Sequence, residues 1–152
     1  MSPRRTRIEK VVTLREKELD KRVQHLAGQR AAEARALSAE EQKKVELEQA
    51  SESRLKLAEE GEALSAMSWI EANEWLANRR LHHEKARVDT ARAQIDTQKA
   101  QGAVLSARTD LKKVELLSER IQKQESDSAQ RVERRLEDEL SSLRFRRSES
   151  DK

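Results

Sequence analysis

The sequence predicts an all-α protein, a long antiparallel two-helix coiled-coil hairpin whose second helix is the longer one. Charged residues make up 40% of the 152 residues and aromatic residues only 2%, so a thick apolar core is not expected. One proline and three glycines are too few for a disordered chain. Helix formers such as Ala, Glu, Arg, Lys, Gln and Leu dominate, which is typical of long helices and coiled coils.

The first helix is predicted over residues 3–60. Ser2 is a good N-cap residue, and Pro3 fits the first helical position because its missing N–H would have no partner there. Gly61 is a good residue for ending the helix, since it adopts the left-handed conformation without strain. A loop then covers 61–68. The apolar stripe predicted to face the second helix is Val12, Leu19, Val23, Leu26, Ala34, Leu37, Val45 and Leu55.

The second helix is predicted over residues 69–145, followed by a frayed tail at 146–152. Ser68 with Glu71 three residues later forms the capping-box pattern S-x-x-E. Two interleaved series at seven-residue spacing predict the seam of the coiled coil. One series is Ile70, Ala77, Glu84, Ala91, Gln98 and Leu105, and the other is Glu74, Leu81, Val88, Ile95 and Gly102.

Two such helices joined by a short loop form one domain over residues 1–152. A turn centred near residue 63 would bring Arg5 close to Ile121. The last twenty or so residues of the second helix would then extend past the start of the first as a single helix.

Both tryptophans fall in one nine-residue stretch, "SWIEANEWL", at residues 68–76. On the register of the second seam, Trp69 and Leu76 take position c and Trp75 takes position b, all outside the seam. Arg79 stands four residues after Trp75 and can stack on its ring. These residues predict an exposed aromatic surface that binds a partner, because Trp and Arg are typical interface anchors.

A second interpretation of the tryptophans stays open. The loop could fold over this end of the hairpin, so that Leu64 and Met67 cover Trp69 and form a small local core.

Other classes of site find little support. The chain has no cysteine and no apolar run long enough to span a membrane. The basic N-terminus lacks the apolar segment of a secretory signal, so we expect a soluble cytoplasmic protein. His82 and His83 are adjacent and diverge on a helix, which is a poor spacing for a metal. No glycine-rich phosphate loop is present, and a two-helix hairpin offers no deep pocket. We therefore expect no enzyme, cofactor or small-molecule substrate.

Two further functions stay open. The sequence pI of about 9.3 and the basic segments "SPRRTR" and "RFRRS" favour nucleic-acid binding, whereas the interleaved acidic residues disfavour it. A generic structural coiled-coil adaptor is also compatible with the composition, although it leaves the tryptophans unexplained.

The chain resembles the FliJ family of flagellar export proteins and its YscO relatives in virulence type III secretion. Two stretches carry the resemblance. "RIEKVVTLREKELDK" at residues 7–21 is similar to the opening pattern of the family, and "SWIEANEWL" is similar to the start of the second helix in some members. The matching residues are Ile8, Val11, Val12, Leu14, Arg15 and Glu16 in the first stretch, and Trp69, Ile70, Trp75 and Leu76 in the second.

The resemblance implies a non-enzymatic role. Members are similar to the central stalk of rotary ATPases and connect a hexameric export ATPase to the cytoplasmic domain of a membrane export gate. Export chaperones are further implied partners, and the implied location is the cytoplasmic side of the inner-membrane export apparatus. By this resemblance Trp75 and Leu76 would face the gate, and Ile8, Val11 and Leu14 would face the ATPase.

Overall fold

The computed structural model describes residues 2–59 and 65–150, with side chains up to Phe145. Helix α1 runs over Pro3–Glu59 and helix α2 over Ala66–Ser150, with 57 and 85 residues. Neither helix, within those described ranges, holds a stretch apolar enough to cross a membrane. The prediction of an all-α two-helix hairpin with a longer second helix is confirmed. The predicted turn residues Gly61 and Leu64 lie outside the described residues.

The chain packs as two compact units, which we treat separately. Unit 1 contains Met1–Leu19 and Ala107–Lys152, and unit 2 contains Asp20–Ser106. In unit 2 the Arg22 guanidinium donates to the carbonyl of Ala103 at 3.3 Å, and Arg79 pairs with Glu46 at 2.5 Å. Residues that come later in α1 therefore meet residues that come earlier in α2, which makes the pairing antiparallel. Whether the chain folds as the single predicted domain stays a prediction.

The start of α1 agrees with the predicted cap. The backbone N–H of Arg5 donates to Ser2 Oγ at 3.3 Å, and that of Thr6 donates to the Ser2 carbonyl at 3.2 Å. The first bond satisfies an N–H group that has no backbone partner in the first turn of a helix, and the second is the first i to i−4 bond of α1. The predicted role of Ser2 is confirmed.

The prediction that α2 starts at residue 69 is wrong, because the helix begins at Ala66. The cap is Ser65: its Oγ accepts the backbone N–H of Ser68 at 3.2 Å, and its carbonyl accepts that of Trp69 at 3.3 Å. Ala66 and Met67 are good helix formers, so the helix extends back to the earlier serine. At its other end α2 continues to Ser150, past the predicted end at residue 145, and no glycine or proline follows Gly102 in this helix.

The seam of α2 differs from the predicted one. Buried and half-buried positions alternate at spacings of four and three residues, but they are mostly small or polar. The seam positions in unit 2 are Ala72, Leu76, Arg79, His83, Ala86, Thr90, Ala93, Thr97, Ala100 and Val104, and those in unit 1 are Ala107, Leu111, Val114, Ser118, Ile121 and Glu125. Small side chains let the two backbones approach closely. The half-buried long side chains of α1, such as Arg22 and Gln29, can cover the alanines with their methylene stems.

The predicted seam residues of α2 face solvent instead. Leu81 is 69% exposed, and Val88, Ile95, Ile70 and Leu105 are also exposed. Leu81, Val88 and Ile95 recur every seven residues at position f, on the side of α2 away from α1. We call these three residues the outer stripe.

The stripe predicted for α1 is correct in part. Val12 and Leu19 are half-buried in unit 1, and Leu26 is buried in unit 2, as expected. The five other members of the predicted stripe are exposed and lie off the seam: Val23, Ala34, Leu37, Val45 and Leu55. The heptad spacing set by Val12, Leu19 and Leu26 continues instead through Glu33, Glu40 and Leu47. Two of these three seam positions are therefore polar, although the prediction placed apolar residues along the whole seam.

In unit 1 helix α2 extends beyond the last contact of the seam. The α1 side ends at Ser2, whose hydroxyl donates a hydrogen bond to the Glu125 carboxylate. From Ser126 to Phe145 every residue is exposed. This segment, which we call the overhang, carries apolar side chains on one helical face, namely Val132, Leu136, Leu140 and Leu143.

Candidate partner-binding site

The aromatic surface lies near the start of α2, in unit 2. The Trp75 side chain is 42% exposed, and the Arg79 guanidinium carbon lies 5.6 Å from its ring centroid. This distance lies within the range of cation–π contacts. The expectation that Trp75 lies outside the seam with Arg79 on its ring is therefore confirmed.

Arg79 is fixed from the opposite helix. Its Nη1 lies 2.5 Å from Glu46 Oε2, and Lys43 Nζ donates to both oxygens of the same carboxylate at 2.9 Å. The hydrogen bonds from Lys43, with the charges of Lys43 and Arg79, lower the pKa of Glu46. The ionised carboxylate thus holds Arg79 in place, and Arg79 in turn holds the ring of Trp75.

A second cation–π pair joins the two helices. The guanidinium carbon of Arg54, on α1, lies 5.2 Å from the ring centroid of Trp69, which is 37% exposed. Met67, which was considered as a cover for Trp69, is itself exposed. Sequence reasoning missed Arg54, although a turn near residue 63 places it opposite Ala72, one turn from Trp69.

Leu76 corrects the predicted register. It was expected at an outer position and as a contact residue, but its side chain is only 3% exposed. The seam consists of the row that contains Ala72, Leu76 and Arg79, and the predicted row with Ile70 and Leu81 is exposed. Leu76 therefore packs between the helices beneath the surface and supports it without being accessible to a partner.

Trp75 also lines a shallow groove between the helices of unit 2. Ala50 and Leu57 of α1 and Ala72 of α2 form its apolar part, and Trp75 and Arg54 contribute to its walls. An aromatic ring, a guanidinium and apolar residues in one open groove are suited to binding a protein side chain.

The N-terminal candidates lie in unit 1. Val11 and Leu14 are exposed on α1, whereas Ile8 is half-buried. Leu14 shares a shallow depression with Thr6, Lys10 and Thr13. Exposed aliphatic residues of this kind are available for contact without any change in the pairing of the helices.

His83 is half-buried in the seam, and His82 beside it is exposed. Among residues 2–59 and 65–150, no three His, Cys, Asp or Glu side chains lie together as a metal site would need.

Two long paired helices with exposed aromatic–arginine pairs define a helical-hairpin protein. The chain matches the family model described as flagellar FliJ protein over residues 4–150, and it belongs to the FliJ family. No curated protein and no solved structure matches it. Membership makes the chain a protein associated with flagellar export, from a family of structural export components and not of enzymes.

Proposed function

We propose that the chain is a stalk-like component of the flagellar export apparatus that couples the export ATPase ring to the membrane export gate. The observation that carries this proposal is the family match over residues 4–150. In this proposal the protein has no hydrolytic chemistry of its own. It acts on the cytoplasmic side of the inner membrane, in association with the export apparatus. Its effect on the ATPase arises from a difference in affinity for the assembled and the dissociated ring.

The ATPase contact is assigned to Val11 and Leu14. Both side chains are exposed, so they are free to bury apolar area against a partner. Ile8 is half-buried and supports this stretch from the seam side.

The gate contact is assigned to Trp75 with Arg79, next to Trp69. The ring of Trp75 is held by a guanidinium that is itself fixed by Glu46, so little conformational entropy is lost on binding. Preorganised Trp and Arg side chains are the residue types that contribute most to protein–protein affinity.

The ATPase contact is tested by hydrolysis and ring assembly of the cognate ATPase with increasing amounts of the protein. We expect the wild type to raise both, and Leu14→Glu to remove the effect. Leu55→Glu is the matched control, because Leu55 is 62% exposed and Leu14 is 64% exposed. No change in hydrolysis or assembly with the wild type would contradict the proposal.

The gate contact is tested by the affinity for the cytoplasmic domain of the export gate. Trp75→Ala is expected to weaken binding by more than about 1 kcal/mol, as for an anchor residue. Normal binding by this variant would assign the gate contact elsewhere. Tight, salt-sensitive binding of DNA in place of either partner would favour a nucleic-acid function.

A further inference from the structure

The outer stripe is an apolar row in unit 2 that faces solvent. Leu81, Val88 and Ile95 are 69%, 56% and 51% exposed. Ala77, Glu84 and Ala91 lie beside them at position b. A helix that has apolar residues every seven positions on two faces carries two seams. One of these seams packs on α1, and the other has the pattern needed to pack on a third helix.

Basic side chains border the outer stripe on both sides. If Leu81, Val88 and Ile95 are taken as the a positions of the second seam, Arg80 and Arg87 flank it at g, and Lys85 and Arg92 flank it at e. All four are exposed. Within the described ranges Arg87 pairs with Glu84 at 3.0 Å, and no carboxylate pairs with the other three.

The charge pattern decides which helix fits. Residues at e and g contact the flanks of the partner helix and set the choice of partner. A second copy packed stripe to stripe would bring Arg80, Arg87, Lys85 and Arg92 against the same cations, which is unfavourable. Acidic residues at the corresponding positions of a partner would pair with them.

We propose that the outer stripe is a docking site for an acidic amphipathic helix of a partner protein. The apolar row of that helix packs on Leu81, Val88 and Ile95, and its carboxylates pair with the basic borders. This surface uses none of the residues assigned above to the ATPase or the gate, so the inference does not depend on the proposed function.

The aliphatic row is what favours a helix over nucleic acid. A phosphate backbone would be bound by the cations alone and would gain nothing from exposed Leu, Val and Ile side chains at heptad spacing. The contribution of the row and the contribution of the charges can therefore be separated by substitution.

The experiment uses the full chain and a labelled synthetic peptide of about four heptads, with Leu at a and d and Glu at e and g. Fluorescence anisotropy measures its affinity. Val88→Lys is expected to weaken binding roughly tenfold or more, although it adds a positive charge that should attract the peptide. Val45→Lys is the matched control on the exposed side of α1, and it should leave the affinity unchanged.

Charge reversal gives the second arm. The double variant Lys85→Glu, Arg92→Glu should lose the acidic peptide and bind a matched peptide with Lys at e and g. Equal binding of a scrambled acidic peptide, or stronger binding by Val88→Lys than by the wild type, would overturn the proposal by showing attraction of charge alone. Concentration-dependent self-association that Val88→Lys abolishes would also overturn the proposal, because a second copy would then occupy the stripe. Binding of a DNA duplex that competes with the peptide and is unaffected by Val88→Lys would overturn it in favour of nucleic acid.

Discussion

Replacing Leu76 by alanine tests the seam of α2 against the alternative through Leu81. The Leu76 side chain is 97% removed from solvent, whereas that of Leu81 is 69% exposed. Truncating a buried leucine to alanine costs about 2–5 kcal/mol, and a thin two-helix seam can relax into part of the space, so about 2–3 kcal/mol is expected. Leu81→Ala removes atoms that are mostly hydrated already and should change the stability by less than about 0.5 kcal/mol.

Far-UV circular dichroism during thermal and urea unfolding measures both variants. In a chain of this length about 2–3 kcal/mol corresponds to a fall in Tm of roughly 5–10 °C for Leu76→Ala, and Leu81→Ala should stay within about 2 °C of the wild type. Trp75→Ala should fall between them, because it loses one cation–π contact and the buried part of its ring. If Leu81→Ala unfolds as early as Leu76→Ala, then the seam follows Leu81 and the register described above is incorrect.

Three further outcomes follow from individual contacts. Ser65→Ala should destabilise the protein by about 1 kcal/mol in urea unfolding, because the N–H of Ser68 loses its acceptor; no loss would mean that another residue caps α2. Thr97→Val should be neutral or raise stability by up to about 1 kcal/mol in thermal unfolding, since the buried Thr97 Oγ1 has no hydrogen-bond partner among the described residues. The lowered pKa of Glu46, caused first by the hydrogen bonds from Lys43, stabilises the fold above the ordinary pKa of glutamate, and this contribution disappears as the pH falls through the lowered value. The difference in urea midpoint between the wild type and Glu46→Gln should therefore narrow on acidification, and a difference independent of pH would rule this out.

The two-helix fold could be predicted from the sequence because few residues decide it. A single proline at position 3 and the serine before it define the start of α1. The stretch after residue 65 has no proline and only one glycine, Gly102, and this allows one long helix. The contact between Trp75 and Arg79 could also be predicted from the sequence, since side chains at i and i+4 lie close together on a helix.

The seam residues of α2 could not be predicted from the sequence in the same way. Helix α2 carries two rows at heptad spacing, and the row with larger aliphatic residues, which includes Leu81, was the better match to a hydrophobic pattern. The structure pairs the other row, in which Ala86, Ala93 and Ala100 allow close approach. Deciding between them requires the side chains that α1 presents, and periodicity within α2 contains no information about these.

The overhang has a consequence for local unfolding. Residues 126–145 gain no burial from α1, so their helical hydrogen bonds open at a free-energy cost set by the helix alone. Amide hydrogens should therefore exchange quickly with solvent beyond Glu125 and slowly around Val114 and Ile121. A partner that packs on Val132, Leu136 and Leu140 would slow that exchange, and part of its binding energy would be used to keep the segment helical.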